Sequence, residues 1–197
     1  MPDDTTLSFY ASQATAYVEH GADAAPPPEL FAFIADLAPG AKVLELGSGS
    51  GRDAAAMLAQ GLDVHPSDAS PELAALAERR LGRTVRILRF DQLTEAAAYD
   101  GIWASASLLH APASELTDDL ARIHRALRPG GLFVASFKAG AGEGRDRFGR
   151  YYNYPDAETL LAHYRAAASW TSCILKSIAG SGYDNQPTEW LWVTARR

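Results

Sequence analysis

The segment VLELGSGSGRDA, residues 43–54, constrains the fold of this chain more than any other part of its sequence. An apolar run typical of a buried strand precedes three glycines at alternate positions, Gly47, Gly49 and Gly51, and a helix-forming run follows them. Glycines allow positive φ angles and a close approach of the backbone to a ligand, and a helix that starts beside them presents free N–H groups. The segment predicts either a ligand-binding loop between a strand and a helix or, more simply, a structural turn.

The rest of the chain continues to alternate short apolar strands with amphipathic helices. Strands are predicted at 42–46, 62–66, 84–90, 99–106 and 131–137, and helices at 8–20, 29–37, 51–60, 71–81, 112–127 and about 156–167. The last two strand-like runs, 169–179 and 189–195, have no helix between them, so they pair antiparallel. The pattern predicts an α/β fold: a doubly wound, mostly parallel seven-stranded sheet with a C-terminal antiparallel hairpin.

The 197 residues suit a single domain, and neither a repeat nor a linker divides them. We therefore predict one domain over 1–197, with an N-terminal helical cap at 1–40. Residues 138–155 combine glycines, arginines and tyrosines. This segment is either a mobile surface loop or a lid that closes over a substrate.

Composition narrows the classes of partner. The formal net charge is −6, and no basic run precedes the terminal Arg196–Arg197 pair, so a nucleic-acid substrate is disfavoured. Cys173 is the only cysteine, the acidic start MPDDTTLSFY does not resemble a signal peptide, and no run of 18 apolar residues occurs. We expect a cytoplasmic location, no membrane contact and a small-molecule partner. The oligomeric state stays open.

The glycine segment resembles the first motif of the class I S-adenosylmethionine-dependent methyltransferases, which reads acid-x-Gly-x-Gly-x-Gly. Glu45 supplies the acid, whereas the dinucleotide fingerprint would need a glycine where this chain has Arg52. Asp68 at the end of the second strand, Asp91 after the third, YDGIW at the fourth and LRPGG before the fifth extend the resemblance over about residues 10–195. Within the family, the small bacterial, tellurite-resistance-like branch is the most similar.

The resemblance implies S-adenosyl-L-methionine as the cofactor and also implies where it binds. Asp68 would accept the ribose hydroxyls and Asp91 the adenine amino group, while carbonyls near Ala104 would meet the ammonium and Glu45 would hold the loop. The implied cofactor-binding residues are Tyr17, Glu45, Gly47, Ser48, Gly49, Ser50, Gly51, Arg52, Asp68, Ala69, Asp91, Gln92, Ala104 and Ser105.

Two of these aspartates have plainer alternatives. Asp68 would also suit a helix N-cap ahead of Pro71, and Asp91 a turn. His65-Pro66-Ser67 stand before Asp68, and because proline lacks a backbone donor, we expect the second strand to be short or irregular at its end.

Candidate residues for chemistry are few. His110 lies just past the fourth strand, where it would act as a general base for a hydroxyl substrate, cap the following helix or pack structurally. Arg150, Tyr151 and Tyr152 would contact the substrate if 138–155 is a lid. The other histidines lack metal-ligand spacing, so we predict no metal site.

These features together predict an S-adenosylmethionine-dependent methyltransferase that acts on a small-molecule nucleophile. The fourth-strand ASAS run differs from the Asn/Asp-Pro-Pro-aromatic run of DNA amino-methylating enzymes. Two alternatives from other classes stay open. One is a non-catalytic S-adenosylmethionine-binding module, and the other is a nicotinamide-dependent oxidoreductase, against which Arg52 counts directly.

Overall fold

The computed structural model describes residues 4–21 and 24–197 as one α/β fold. Its helices are α1 (Asp4–His20), α2 (Pro28–Ala35), α3 (Arg52–Ala59), α4 (Pro71–Leu81), α5 (Ala113–Ala126) and α6 (Ala157–Ala167). Its strands are β1 (Lys42–Leu46), β2 (Asp63–Asp68), β3 (Arg86–Ile87), β4 (Tyr99–Ala104), β5 (Leu127–Lys138), β6 (Gly144–Arg145), β7 (Tyr151–Tyr152), β8 (Ser172–Ser181) and β9 (Pro187–Arg196). Two short 3₁₀ turns cover Phe90–Gln92 and Leu108–His110.

Within the described ranges, seven strands form one sheet in the order β3-β2-β1-β4-β5-β9-β8. The neighbours among β1 to β5 pair in parallel, and β9 pairs antiparallel with both β5 and β8. The predicted α/β architecture and C-terminal hairpin are therefore confirmed. Because the strand order reverses between β1 and β4, a crevice opens beyond their carboxyl ends, which is where open α/β sheets bind ligands.

Apolar side chains cover both faces of the sheet. On one face, α5 and α6 bury Leu116, Leu120 and Tyr164 against the strands. On the other face, α2 and α3 bury Phe33 and Met57. None of the helices that the structure describes is long and apolar enough to cross a membrane.

A buried hydrogen bond connects α3 to the sheet. Trp103 in β4 is fully buried between the rings of Phe33 and Trp192, whose centroids lie 5.3 and 5.5 Å away. Its indole N–H donates to Asp53 Oδ2 over 3.0 Å, and Asp53 lies in the first turn of α3. The bond therefore positions the helix that follows the glycine loop.

Two strands differ from their predictions. β3 contains two residues instead of seven, because the chain turns at Phe90–Gln92, where the Gln92 side chain accepts a hydrogen bond from the Arg89 N–H. The expectation of an irregular end to β2 was wrong, since β2 pairs with β1 through Ser67. The Asp68 carbonyl accepts a hydrogen bond from the Leu88 N–H, so the backbone groups of Asp68 point toward β3. The backbone of Pro66, two residues earlier in the strand, points the same way. Its missing donor falls where β3 has not yet begun.

The Trp103–Asp53 bond leads to a stability prediction. Trp103→Phe leaves Asp53 Oδ2 buried without its donor, so we expect it to lower the free energy of unfolding by about 1–3 kcal/mol more than Trp192→Phe does. Trp192 is the matched control because it is a buried tryptophan for which the described residues provide no side-chain hydrogen bond. Urea denaturation measures both variants, and equal losses would contradict a stabilising role for the bond.

Candidate functional site

A cleft opens at the carboxyl edge of the sheet, where the strand order reverses between β1 and β4. Its walls come from α1, the glycine loop, the ends of β2 and β3, the segment after β4 and the start of α5. It holds about 890 Å³ of space, counted out to its open mouth and including the solvent there. The residues that line it are Thr6, Leu7, Tyr10, Tyr17, Gly47, Gly49, Asp68, Ala69, Leu73, Leu88, Arg89, Phe90, Asp91, Ser105, Ala106, Ser107, His110, Ala111, Pro112, Glu115 and Asp119.

The glycines of the loop allow close packing on three sides. Gly47, at φ +83°, lies so close to the segment after β4 that a Cβ there would be 2.4 Å from Ser107 Cβ. A Cβ on Gly51 would be 3.2 Å from Leu81 Cγ, so this glycine lets α3 begin against α4. Gly49, at φ +52°, faces Tyr17 of α1, whose ring would be 3.6 Å from an added Cβ. Each position therefore favours glycine for a different reason.

Asp68 holds the glycine loop from the end of β2. Its Oδ2 accepts from the Gly49 N–H over 2.8 Å, and its Oδ1 accepts from the Ser70 N–H over 2.9 Å. Burial raises the pKa of Asp68, while these backbone donors act in the opposite direction. The N-cap of α4 is Ser70, whose hydroxyl accepts from Leu73, so the plainer reading of Asp68 as that cap is wrong. Asp68 lines the cleft, and each carboxylate oxygen keeps a lone pair for a ligand.

Two buried polar atoms beside the loop lack a hydrogen-bond partner in the described part of the chain. They are Glu45 Oε2, at the end of β1, and Ser107 Oγ, in the cleft wall. Burial and the nearby charge of Asp53 raise the pKa of Glu45 to about 8. Unpaired buried polar groups cost free energy, so both atoms suit a site that receives a polar ligand. Sequence reasoning missed Ser107, although ASAS already showed two serines at this strand end.

The other implied cofactor residues divide into two groups. Ala69, Asp91 and Ser105 line the cleft, as do Tyr17, Gly47, Gly49 and Asp68. The residues that do not line it are Glu45, Ser48, Ser50, Gly51, Arg52, Gln92 and Ala104.

Two of the residues outside the lining have contacts that explain their positions, and a third lies on the surface. The Ser48 hydroxyl donates to the Ser67 carbonyl, and Arg52 Nε donates to Asp53, so both stabilise the loop from behind. Gln92 is exposed. Direct contact of these residues with a cofactor stays a prediction.

His110 is held between two oxygen atoms. Its Nδ1 lies 2.6 Å from the Tyr151 carbonyl oxygen, which accepts only, so Nδ1 carries the proton. Its Nε2, 3.0 Å from the Tyr10 hydroxyl, then accepts the hydrogen bond from Tyr10. Burial lowers the pKa of His110 to about 4. The imidazole is therefore neutral at pH 7, and its lone pair is occupied by Tyr10.

The segment 138–155 packs against α1 beside the cleft, and Arg150, Tyr151 and Tyr152 do not line the cleft. Arg150 is 1% exposed, donates from Nε and Nη2 to Asp146 Oδ2 over 2.9 and 2.7 Å, and donates from Nη1 to the Tyr10 hydroxyl over 3.2 Å. The ring of Phe9 also lies 4.9 Å from its guanidinium. Asp146 neutralises Arg150, and Arg150 in turn holds α1 in place through Tyr10 and Phe9. Contact of Arg150, Tyr151 and Tyr152 with a substrate stays a prediction.

The comparisons with known proteins agree with this geometry. Residues 43–131 match the family model described as a methyltransferase domain. A protein-L-isoaspartate O-methyltransferase from Gloeobacter violaceus is 37% identical over 114 residues, which cover 53% of this chain and 55% of that protein. The chain thus spans about half the length of this curated relative.

Solved structures extend the similarity to nearly the whole chain. The 1,6-didemethyltoxoflavin-N1-methyltransferase of Burkholderia thailandensis, solved with 1,6-didemethyltoxoflavin and S-adenosylhomocysteine, is 29% identical, with a TM-score of 0.72 over 96% of this chain and 88% of that one. The N-methyltransferase NodS of Bradyrhizobium japonicum WM9, 17% identical with a TM-score of 0.72 over 99% of both chains, shares the fold. The domain match places a methyltransferase domain at residues 43–131, and the glycine loop, the strand order and the similar solved structures support the class I S-adenosylmethionine-dependent type.

Proposed function

We propose that this chain binds S-adenosyl-L-methionine in the cleft and transfers its methyl group to a small-molecule nucleophile. The observation that carries the proposal is the hydrogen bond by which Asp68 holds the glycine loop in place. The Asp68 carboxylate lines the cleft, and Gly47 and Gly49 expose their backbone to it because they have no side chains. This arrangement suits a ligand that has both hydroxyl donors and a polar amino-acid end.

The residues present fit this cofactor. The remaining lone pairs of Asp68 suit the ribose hydroxyls, and Ser107 Oγ, buried without a partner in the described residues, suits a polar group of the methionine part. Glu45 lies beneath the loop, and a positive charge bound nearby would favour its ionised form. When bound, the cofactor supplies a methyl group on a sulfonium, an electrophile that is already activated.

The tasks left to the protein are alignment and exclusion of water. Tyr10 and Tyr17 of α1 form the wall above the glycine loop, and Arg150 and Asp146 hold Tyr10 in place. Fixed walls keep an acceptor in line with the methyl group and reduce the entropy cost of the displacement. We assign His110 to positioning, because its lone pair already accepts from Tyr10.

Two observations support a small acceptor. The Burkholderia relative, which this chain resembles over nearly its full length, was solved with the small molecule 1,6-didemethyltoxoflavin. Among the described residues, the cleft is also lined by four acids, Asp68, Asp91, Glu115 and Asp119, and by one arginine, Arg89, which is paired with Asp91. These charges favour a neutral or cationic acceptor over a phosphate or carboxylate. A cytoplasmic location stays a prediction from the sequence.

A screen with methyl-labelled S-adenosylmethionine tests the activity. Its acceptors are nitrogen heterocycles, amines, carboxylates and an isoaspartyl peptide, the last because of the relative from Gloeobacter. We expect label in a heterocycle or an amine. Transfer to the peptide alone would contradict the small-molecule assignment, and the absence of cofactor binding would contradict the proposal as a whole.

The role of Asp68 is tested by its removal. Asp68→Ala loses hydrogen bonds from a charged acceptor, so we expect S-adenosylmethionine to bind about 10- to 100-fold more weakly by calorimetry. Asp63→Ala is the control, because Asp63 is an exposed aspartate at the opposite end of the same strand. Wild-type affinity in a folded Asp68→Ala variant would overturn the ribose assignment.

The role of Gly49 is tested by a side chain at the same backbone position. Gly49→Val is strained at φ +52° and directs its branches toward Tyr17 and the cleft, so we expect cofactor binding to be lost while the protein remains folded. Gly61→Val carries a comparable strain, at φ +79°, in open space at the far end of α3. It should bind normally. Normal binding by Gly49→Val would show that this loop does not cradle the cofactor.

The buried His110 leads to a prediction about stability against pH. Its folded-state pKa of about 4 lies below the ordinary value of 6.5, so its stabilising effect is complete above pH 6.5 and is lost as the pH falls toward 4. We expect the unfolding free energy of the wild type to fall by about 2–3 kcal/mol more than that of His110→Gln across this range. His65→Gln, at a histidine whose side chain is 42% exposed, is the control and should follow the wild type. Parallel curves for wild type and His110→Gln would contradict the burial effect.

A further inference from the structure

A second cavity lies along the edge of β2 and shares no lining residue with the cleft. It holds about 790 Å³ of space, counted out to its open mouth and including the solvent there. Leu44 and Tyr99, which belong to the core on the α5 face of the sheet, contribute apolar lining together with Pro66. The cavity therefore extends from solvent to buried apolar side chains.

The shortness of β3 creates this cavity. β3 pairs with β2 only opposite Ser67 and Asp68. The chain just before β3 bonds to α4 instead, because the Val85 N–H donates to Glu78 Oε1 over 2.9 Å. Residues 64–66 of β2 thus have no strand beside them on the β3 side, and this part of the sheet edge is open to a ligand.

The polar side chains that line the cavity differ from those of the cleft. Arg83, Arg86 and His65 are among them, and no aspartate or glutamate in the described part of the chain lines the cavity. The cleft, in contrast, is lined by four acids. The lining of the cavity therefore favours an anion, whereas that of the cleft favours a neutral or cationic ligand.

Arg83 is the cation of the cavity that has no acid beside it. Glu95 accepts a hydrogen bond from Arg86, and Asp63 Oδ2 lies 3.1 Å from His65 Nε2. Arg83 is partly buried, and none of the described residues forms a hydrogen bond or an ion pair with it. A guanidinium carries five N–H donors in a fork that matches two oxygens of a carboxylate or phosphate, so an oxyanion in the cavity would satisfy Arg83.

We propose that this cavity binds a small organic oxyanion, with its phosphate or carboxylate group on Arg83 and its apolar part against the apolar lining. Two features distinguish this arginine from one that is merely solvated. It lines a cavity that reaches buried apolar side chains, and the strand edge in that cavity is uncovered. The cavity is separate from the cleft, so the inference does not depend on the proposed function.

Two-dimensional NMR of the backbone amides of the full chain tests the site. The probes are phenyl phosphate, benzoate and inorganic phosphate. We expect the amides of Val64 and Thr84, which line the cavity, to shift in a saturable way with an organic probe. Inorganic phosphate should bind about tenfold more weakly, because it has no apolar part to bury. The organic probe that binds more tightly identifies the anionic group.

Substitution of single arginines assigns the binding to the cavity. Arg83→Gln removes the charge without breaking a contact among the described residues, so we expect a folded protein that binds the organic probe about tenfold more weakly. Arg79→Gln makes the same change of charge at an exposed position of α4, and Arg89→Gln removes an arginine that lines the cleft. Both of these variants should keep the wild-type affinity.

Several results would overturn the proposal. One is the absence of saturable shifts at Val64 and Thr84. Equal losses of affinity in Arg83→Gln and Arg79→Gln would show only a general attraction of charge. A loss in Arg89→Gln without one in Arg83→Gln would place the probe in the cleft, and equal affinities for inorganic phosphate and the organic probes would show that the apolar lining binds nothing.

Discussion

The close approach of Gly47 to Ser107 is the contact on which the cleft depends. It brings the carboxyl ends of β1 and β4 together at the point where the strand order reverses. Any side chain at Gly47 would push Ser107 away by more than an ångström, because an added Cβ would be only 2.4 Å from Ser107 Cβ. Asp68 then holds the loop from the neighbouring strand, so three strand ends act as one rigid cradle.

The cleft and the neighbouring segment 138–155 differ in the charged groups that they contain. The cleft carries buried or half-buried carboxyl groups, with Glu45 beneath the loop and Asp119 on α5. The segment 138–155 keeps its cation, Arg150, paired with Asp146 and surrounded by aromatic rings, including Phe9 of α1. The aromatic walls that α1 places above the loop favour a cationic sulfonium, and a cation bound there would in turn favour the ionised form of Glu45 beneath the loop.

The site was only partly predictable, and the reasons are physical. Gly47, Gly49 and Asp68 were predictable because strand ends and backbone approach leave a local pattern in the sequence. Ser107 and Asp119 belong to no such local pattern, since a serine after a strand and an aspartate on a helix are common in any sequence. They become notable only once burial is known. The same reason explains Arg150, which looked like a free cation until folding brought it against Asp146 and Tyr10.

The sequence by itself determined the alternation of strands and helices, the terminal hairpin and the glycine loop, because periodicity and glycine placement act over a few neighbouring residues. Only the tertiary structure decided that β3 shortens to two residues, that Pro66 fits within a regular strand, and that His110 gives its lone pair to Tyr10. Each of these depends on partners far away in the chain; Tyr10 and His110, for example, are 100 residues apart. Burial and hydrogen bonding between such distant residues are properties of the packed fold, and no local pattern encodes them.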